Sequence, residues 1–299
     1  STDFSLLLLD IMMPKTDGFQ VLAYINKYHW NDTFAVMMIS ADDSPANIKR
    51  AYDLGAFDYI SRPFDSTIVL RRISNTMLLY ARQQRLEKII AEQFCEQEKN
   101  NKLMISILSH IVEFRNGESG RHILCVNTIT RYLLKQLVRR TDKYPLSKSD
   151  ITLISTASSL HDIGKIAISD AILNKPGRLT AEEFEMIKTR SMVGANMLLD
   201  LPIEQQEAPL VKVASEICRW HHERYDGNGY PDGLKGEEIP IAAQVVALAD
   251  VYDALTSERC YKRAYSHEDA LKMILEGECG VFNPTLLLCL QEIADILKS

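Results

Sequence analysis

The sequence predicts two differently built parts joined by a long helix: an N-terminal partial α/β segment with a parallel sheet, and a C-terminal all-α helical bundle. Three observations carry this reading. Short apolar runs at Leu6–Leu9, Ala35–Ser40 and Asp58–Ile60 alternate with helix-forming stretches, the pattern of parallel strands with helical crossovers. From Ile68 to Asn116 there is neither Pro nor Gly, and Arg, Gln, Glu, Lys and Leu dominate. Beyond that stretch no convincing strand pattern appears, while helix starts recur. Thr180-x-x-Glu183 is a capping box, and Ser147 and Ser266 each precede an Asp by three residues. The expected divisions are 1–76 for the α/β part, 77–113 for the connector and 114–299 for the bundle.

In the first part, Leu6-Leu7-Leu8-Leu9-Asp10 is a strand ending in an acid, and Asp17-Gly18 starts a helix. The strand at Ala35–Ser40 ends in a hydroxyl. Ala46–Leu54 reads as a helix stopped by Gly55, and Asp58-Tyr59-Ile60 is a third strand before Arg62-Pro63-Phe64. Functional groups of parallel sheets gather at the C-terminal ends of strands, where Asp10, Ser40 and Arg62 all fall. In the connector, Leu79, Leu86 and Gln93 are seven apart, with Ile90 and Gln97 near the alternate heptad places. This is a weak coiled-coil seam, expected to form a parallel homodimer.

The totals narrow the function classes. A length of 299 residues suits about two domains. With 34 Lys and Arg against 40 Asp and Glu, the net charge of −6 argues against nucleic acid and anionic membranes as partners. A small phosphorylated ligand needs only local positive charge or metal. The six cysteines are scattered without a C-x-x-C pair, as expected of reduced thiols in the cytoplasm. No apolar run approaches the roughly 20 residues that span a bilayer, and the chain opens into a strand-like run rather than a signal peptide.

The chemistry concentrates in the helical part. Adjacent His161 and Asp162 close an apolar helical run, with Gly164 and Lys165 just after. Alone, such a pair is compatible with a simple helix end. Three further clusters change that. Glu118 and His122 are four apart and share a helix face. His221-His222-Glu223 follows an apolar helix, and Asp250 ends the apolar run Val245–Ala249. So many imidazoles and carboxylates beside apolar faces carry a heavy desolvation cost unless they share metal ions. The loop Arg224–Gly233, with three glycines and a proline, is expected to shape the mouth of that site.

These residues carry a resemblance to the HD-GYP family of metal-dependent phosphodiesterases that degrade cyclic di-GMP. His161-Asp162-Ile163-Gly164-Lys165 is similar to its HD signature, and His221-His222-Glu223-x-x-Asp226-Gly227-x-Gly229-Tyr230-Pro231 to its GYP signature. Leu248–Thr256 and Pro176–Thr180 match further family stretches. The resemblance implies a helical bundle with two or three metal ions, usually iron or manganese, and the expectation for this chain is one to three divalent ions. It implies Glu118, His122, His161, Asp162, His221, His222 and Asp250 as ligands, with Asp162 as the bridge. Lys165 would stabilise or protonate the reacting phosphate. Gly229, Tyr230 and Pro231 would form the substrate loop, and Arg259, Tyr261 and Lys262 would hold a substrate phosphate. The reaction implied is hydrolysis of cyclic di-GMP to pGpG or GMP.

The stretch LLLLDIMMPKTDGF resembles the response-regulator receiver family. This implies Asp10 as phospho-acceptor, Ser40 as switch hydroxyl and an upstream histidine kinase as partner; Arg62 stands where that family has Lys. The family's first strand and helix and its acidic Mg²⁺ pair would lie ahead of Ser1. The segment is therefore expected to be truncated and to take up no phosphoryl group from acetyl phosphate, as mass spectrometry would read.

One position breaks the HD-GYP pattern. The family has Lys-Thr-His, whose His binds the second metal, whereas this chain has Lys188-Thr189-Arg190. A guanidinium stays protonated and offers no lone pair. Cys125 is a lesser departure, standing where many members have Arg. The expectation is a phosphodiesterase weakened at its second metal, with Arg190 directed at substrate phosphate. The alternatives are a degenerate domain that senses cyclic di-GMP or a protein partner, and an HD-superfamily phosphohydrolase of another nucleotide.

Overall fold

The computed structural model describes residues 5–115, 121–258 and 264–298. The chain falls into two compact units, Ser1–Glu98 and Lys99–Ser299.

The first unit is built on strand β1 (Leu6–Asp10), helix α1 (Gly18–Lys27), strand β2 (Ala35–Ser40), helix α2 (Pro45–Asp53) and strand β3 (Asp58–Ser61). The strands form one parallel sheet in the order β1-β2-β3, with Asp10 opposite Ile39 and Ser40 opposite Ser61. Alternation along β2 decides which face each side chain meets. Val36 and Met38 pack with Phe19, Leu22 and Ile25 of α1 and with Ala51 of α2. Met37 packs with Ile60 and Val69, the latter from the start of helix α3 (Ser66–Phe114). The register brings Asp10, Ser40 and Arg62 to one end of the sheet. Arg62 Nη2 is 3.0 Å from Asp10 Oδ2, and buried Ser40 accepts from the Asp42 amide. Asp17 caps α1 by accepting from the Phe19 amide. The absence of Pro and Gly is matched by α3 running 49 residues, through the boundary between the two units.

The second unit takes the last turns of α3 and then α4 (Arg121–Arg140), α5 (Lys148–Ala157), α6 (Asp170–Leu173), α7 (Ala181–Leu199), α8 (Ile203–Gln206), α9 (Pro209–Trp220), α10 (Ile241–Thr256), α11 (His267–Leu275) and α12 (Pro284–Leu297). Among the described residues it contains no strand. Both capping boxes form: Ser147 with Asp150 starts α5, and Thr180 with Glu183 starts α7. At the centre is α10, buried all round from Ala242 to Ala249, as a core helix apolar on every side must be. Leu133, Leu134 and Leu137 of α4, Ile154 of α5, Ile217 of α9, Ile274 of α11 and Leu286 and Leu290 of α12 close over it. No helix among the described residues is long and apolar enough to cross a membrane, and the described cysteines are free thiols.

One local expectation is corrected. His161 and Asp162 do not end an α-helix, because α5 stops at Ala157 and a 3₁₀ turn, Ser158–Leu160, follows. The Ser155 carbonyl, which a continuing α-helix would need, accepts instead from the Ser158 hydroxyl at 2.7 Å and from the Asn127 amide. The tighter turn then carries His161 and Asp162 out of α5 toward the next helices.

Candidate metal centre

Four separate elements bring imidazoles and a carboxylate to one buried place. His122 comes from the first turn of α4 and His161 from the turn after α5. His221 and His222 follow the end of α9. Asp250 comes from the middle of α10, whose apolar surroundings bury most of its side chain.

The hydrogen bonds fix which ring nitrogen is available. His161 Nδ1 is 2.8 Å from the Ser158 carbonyl, and His221 Nδ1 is 2.8 Å from the Ile217 carbonyl. A carbonyl only accepts, so both Nδ1 atoms carry a proton, and Nε2 is the nitrogen of each ring that can offer a lone pair. Those two Nε2 atoms are buried without a hydrogen-bond partner. His122 Nδ1 lies 2.6 Å from Asp253 Oδ2, which turns its Nε2 toward Asp250 Oδ1 at 3.6 Å. Histidines held at Nδ1 by a carbonyl or carboxylate, with Nε2 aimed inward, are the outer-shell arrangement of metal sites.

The donors fall into two groups, His122 with His161 and Asp250, and Asp162 with His221 and His222; within each, the atoms lie within 4.8 Å of one another. Donors each about 2.1 Å from one ion lie roughly 3–4 Å apart. In that range fall Asp250 Oδ1, 3.6 Å from His122 Nε2 and 3.9 Å from His161 Nε2, and Asp162 Oδ1, 3.8 Å from His221 Nε2. Asp162 straddles the groups. Its Oδ2 is 3.5 Å from His161 Nε2 and its Oδ1 3.8 Å from His221 Nε2. Buried imidazole lone pairs and carboxylate oxygens facing one another are a donor set that a divalent ion satisfies.

The electrostatics agree. Burial alone would raise the Asp162 carboxyl, but Lys165 and then Arg190 hold it well below the usual carboxylate range. Asp250 is likewise lowered against its burial by His161 and His122. Burial pushes His221 down to about 4, so its ring is neutral at physiological pH. Burial would also depress His122, yet the bond to Asp253 and the charges of Asp250 and Glu113 raise it to about 9. The pocket around His122 therefore draws positive charge.

Lys165 is buried, with Nζ 2.9 Å from Asp162 Oδ2 and 3.3 Å from Glu113 Oε1. Arg190, from α7, faces the second group. Its Nη2 is 2.6 Å from His222 Nε2, and its Nε is 3.3 Å from Asp162 Oδ1. The loop after the double histidine stands over the site. Tyr230 stacks on His222 with ring centroids 4.8 Å apart. A Cβ on Gly229 would lie 2.3 Å from the Glu223 Cα and the Arg224 nitrogen, so only glycine lets the loop fold back there. Pro231 follows, and Glu223 Oε1 accepts from the Asp232 and Gly233 amides to pin the loop's far end.

The structure thus brings His122, His161, Asp162, Lys165, Arg190, His221, His222, Gly229, Tyr230, Pro231 and Asp250 into one region. Glu118, Arg259, Tyr261 and Lys262 lie outside the described residues. Two participants escaped the sequence reading, Asp253 and Glu113. Asp253 had a usable signal, standing one turn after Asp250 on the same helix face. Glu223 sits within the His-His-Glu run but turns to the loop. Glu113 had none, because its burial depends on where the end of α3 packs.

Comparison with known proteins agrees with this geometry. A family model described as HD domain matches residues 102–286, and one described as response regulator receiver domain matches residues 1–74. A Vibrio cholerae protein named "Probable cyclic di-GMP phosphodiesterase" is 34% identical over 297 residues, covering 94% of this chain and 66% of its own length. The "Cyclic di-GMP phosphodiesterase response regulator RpfG" of Xanthomonas campestris pv. campestris is 33% identical over 289 residues, covering 93% of this chain and 72% of its own. A "Cyclic di-GMP phosphodiesterase" of Thermotoga maritima is 31% identical over 316 aligned positions, covering 100% and 82%. Matched over more than half of its length, this chain belongs to the HD domain family, with a response regulator receiver segment ahead of the HD domain.

Proposed function

We propose that this chain is a metal-dependent phosphodiesterase that hydrolyses cyclic di-GMP to pGpG or GMP, as the output of a two-component response regulator. The observation that carries the reading is the convergence of His122, His161 and His221, each fixed through Nδ1, on the carboxylates of Asp162 and Asp250. The three relatives' names supply the substrate class. His122, His161 and Asp250 hold iron or manganese, Asp162 reaches toward both donor groups, and Glu118 is a further ligand. A bound ion would neutralise phosphoryl charge and make water a competent nucleophile near neutral pH. Lys165 adds a fixed positive charge at the phosphate. Tyr230, between its glycine and proline neighbours, offers a ring face to a guanine base, and Arg259, Tyr261 and Lys262, outside the described residues, hold a substrate phosphate.

Incubating the chain with Mn²⁺ or Fe²⁺ and cyclic di-GMP is expected to yield pGpG or GMP by chromatography. A second reading, a sensor that binds the dinucleotide without cutting it, is favoured by one observation, the contact of Arg190 with His222. Retained binding with no product would select the sensor over the enzyme. Asp253→Asn is expected to weaken metal binding or activity roughly 10- to 100-fold, the usual cost of an outer-shell partner. Unchanged Mn²⁺ affinity in a calorimetric titration would mean that packing alone orients His122.

Upstream, Asp10 would be the acceptor from a histidine kinase in a full-length receiver, and the protein works in the cytoplasm. The connector 77–113 pairs two copies: Leu79, Leu86 and Ile90 are all more than half exposed on α3. Sedimentation equilibrium is expected to give a dimer mass, and a monomer at tens of micromolar would refute the pairing.

A further inference from the structure

We infer that the guanidinium of Arg190 is the second cation of this centre, so that the chain binds one divalent ion, at His122, His161 and Asp250, and carries its other positive charge as a side chain. The two donor groups differ in what already touches them. Each group holds one buried imidazole nitrogen without a hydrogen-bond partner, Nε2 of His161 in the first and Nε2 of His221 in the second, but only the second also has a guanidinium against it. In the group of Asp162, His221 and His222, the guanidinium reaches two of the three donors, His222 Nε2 at 2.6 Å and Asp162 Oδ1 at 3.3 Å. A guanidinium only donates, so the His222 Nε2 lone pair is already committed to it and is not open to a metal. Arginine does not deprotonate in proteins, so this charge is not displaced by a change of pH.

The side chain is also anchored. Its own backbone is locked against the turn that carries His161 and Asp162, because a Cβ on Gly164 would fall 1.9 Å from the Arg190 carbonyl oxygen and 2.7 Å from the Gly194 nitrogen. Only 17% of the Arg190 side chain is exposed. Asp162, the carboxylate between the groups, already has Lys165 on Oδ2 and Arg190 on Oδ1. A dication entering the second group would meet both. A guanidinium neutralises a phosphoryl oxygen and grips it through paired N–H donors. It has no coordination position for water, so it supports binding of the phosphodiester more than its hydrolysis.

The inference rests on the metal-dependent reading only in that the first group takes an ion. The test is metal content and spin state rather than turnover. The chain is stripped with chelator, reloaded with Mn²⁺, freed of excess ion, and measured by elemental analysis and electron paramagnetic resonance. Wild type is expected to hold one Mn²⁺ per chain with an uncoupled six-line spectrum. Arg190→His, which puts an imidazole where the guanidinium was, is expected to hold two with an exchange-coupled spectrum. Arg190→Gln, which shortens the side chain and removes its charge, is expected to admit a second, weaker ion. Two or more ions in wild type overturn the assignment of Arg190, whatever the variants do. So does a folded Arg190→His, judged by its thermal transition, that still holds one. No ion in wild type or in Arg190→His would overturn the metal-dependent reading itself, and this inference with it.

Discussion

Replacing Asp162 by Asn is expected to lower cyclic di-GMP turnover by on the order of 10³-fold, the scale reached when a fixed charge at a developing charge is removed. The change keeps the shape of the side chain and deletes its charge, which serves four neighbours at once. Oδ2 faces His161 and Lys165, and Oδ1 faces His221 and Arg190. Without the carboxylate, two buried cations are left to share what remains of the site. Removing one partner of a buried ion pair costs about 3–5 kcal/mol, so urea unfolding should shift to lower midpoints as well. The two readouts separate the roles. Turnover within tenfold of wild type, in a protein whose circular dichroism is unchanged, would show that Asp162 is structural only.

Gly164→Ala is expected to damage both fold and site, because the added methyl has nowhere to go. It would sit 1.9 Å from the Arg190 carbonyl oxygen and 2.7 Å from the Gly194 nitrogen, both backbone atoms that no rotamer change moves aside. The turn Ile163–Ala167 and α7 would have to separate, at a cost of about 3 kcal/mol, the upper part of the usual range for overpacking. That separation would also carry Arg190 away from His222 and Asp162. Denaturant unfolding checks the first effect and Mn²⁺ content the second. A variant as stable as wild type would mean that the two glycines are not in close contact in solution.

Much of the architecture was legible because local chemistry and tertiary demand agree. Alternating short apolar runs gave the parallel strands, and the register set by Leu6–Asp10 and Ala35–Ser40 put Asp10, Ser40 and Arg62 at one sheet end. Capping boxes at Ser147 and Thr180 marked helix starts that form as read. The site's imidazoles and acids stood out because each is a polar group beside an apolar face, where burial without a partner is costly. The helix end at His161 was misread for the opposite reason. The competition for the Ser155 carbonyl comes partly from Asn127, 28 residues away in the chain, and periodicity has no access to such a contact.

By itself the sequence determined the residue types available to the centre and the elements that carry them. It also determined that position 190 holds a group able to donate but not to ligate. Only the tertiary structure decided that Asp253 turns His122, that Glu113 closes on Lys165, and that the Arg190 guanidinium meets His222 rather than solvent. The physical reason is that ligand chemistry belongs to single side chains, whereas hydrogen-bond direction and occupancy belong to pairs. Pairs such as His122 and Asp253, or Arg190 and His222, come into reach only when separate helices pack around α10.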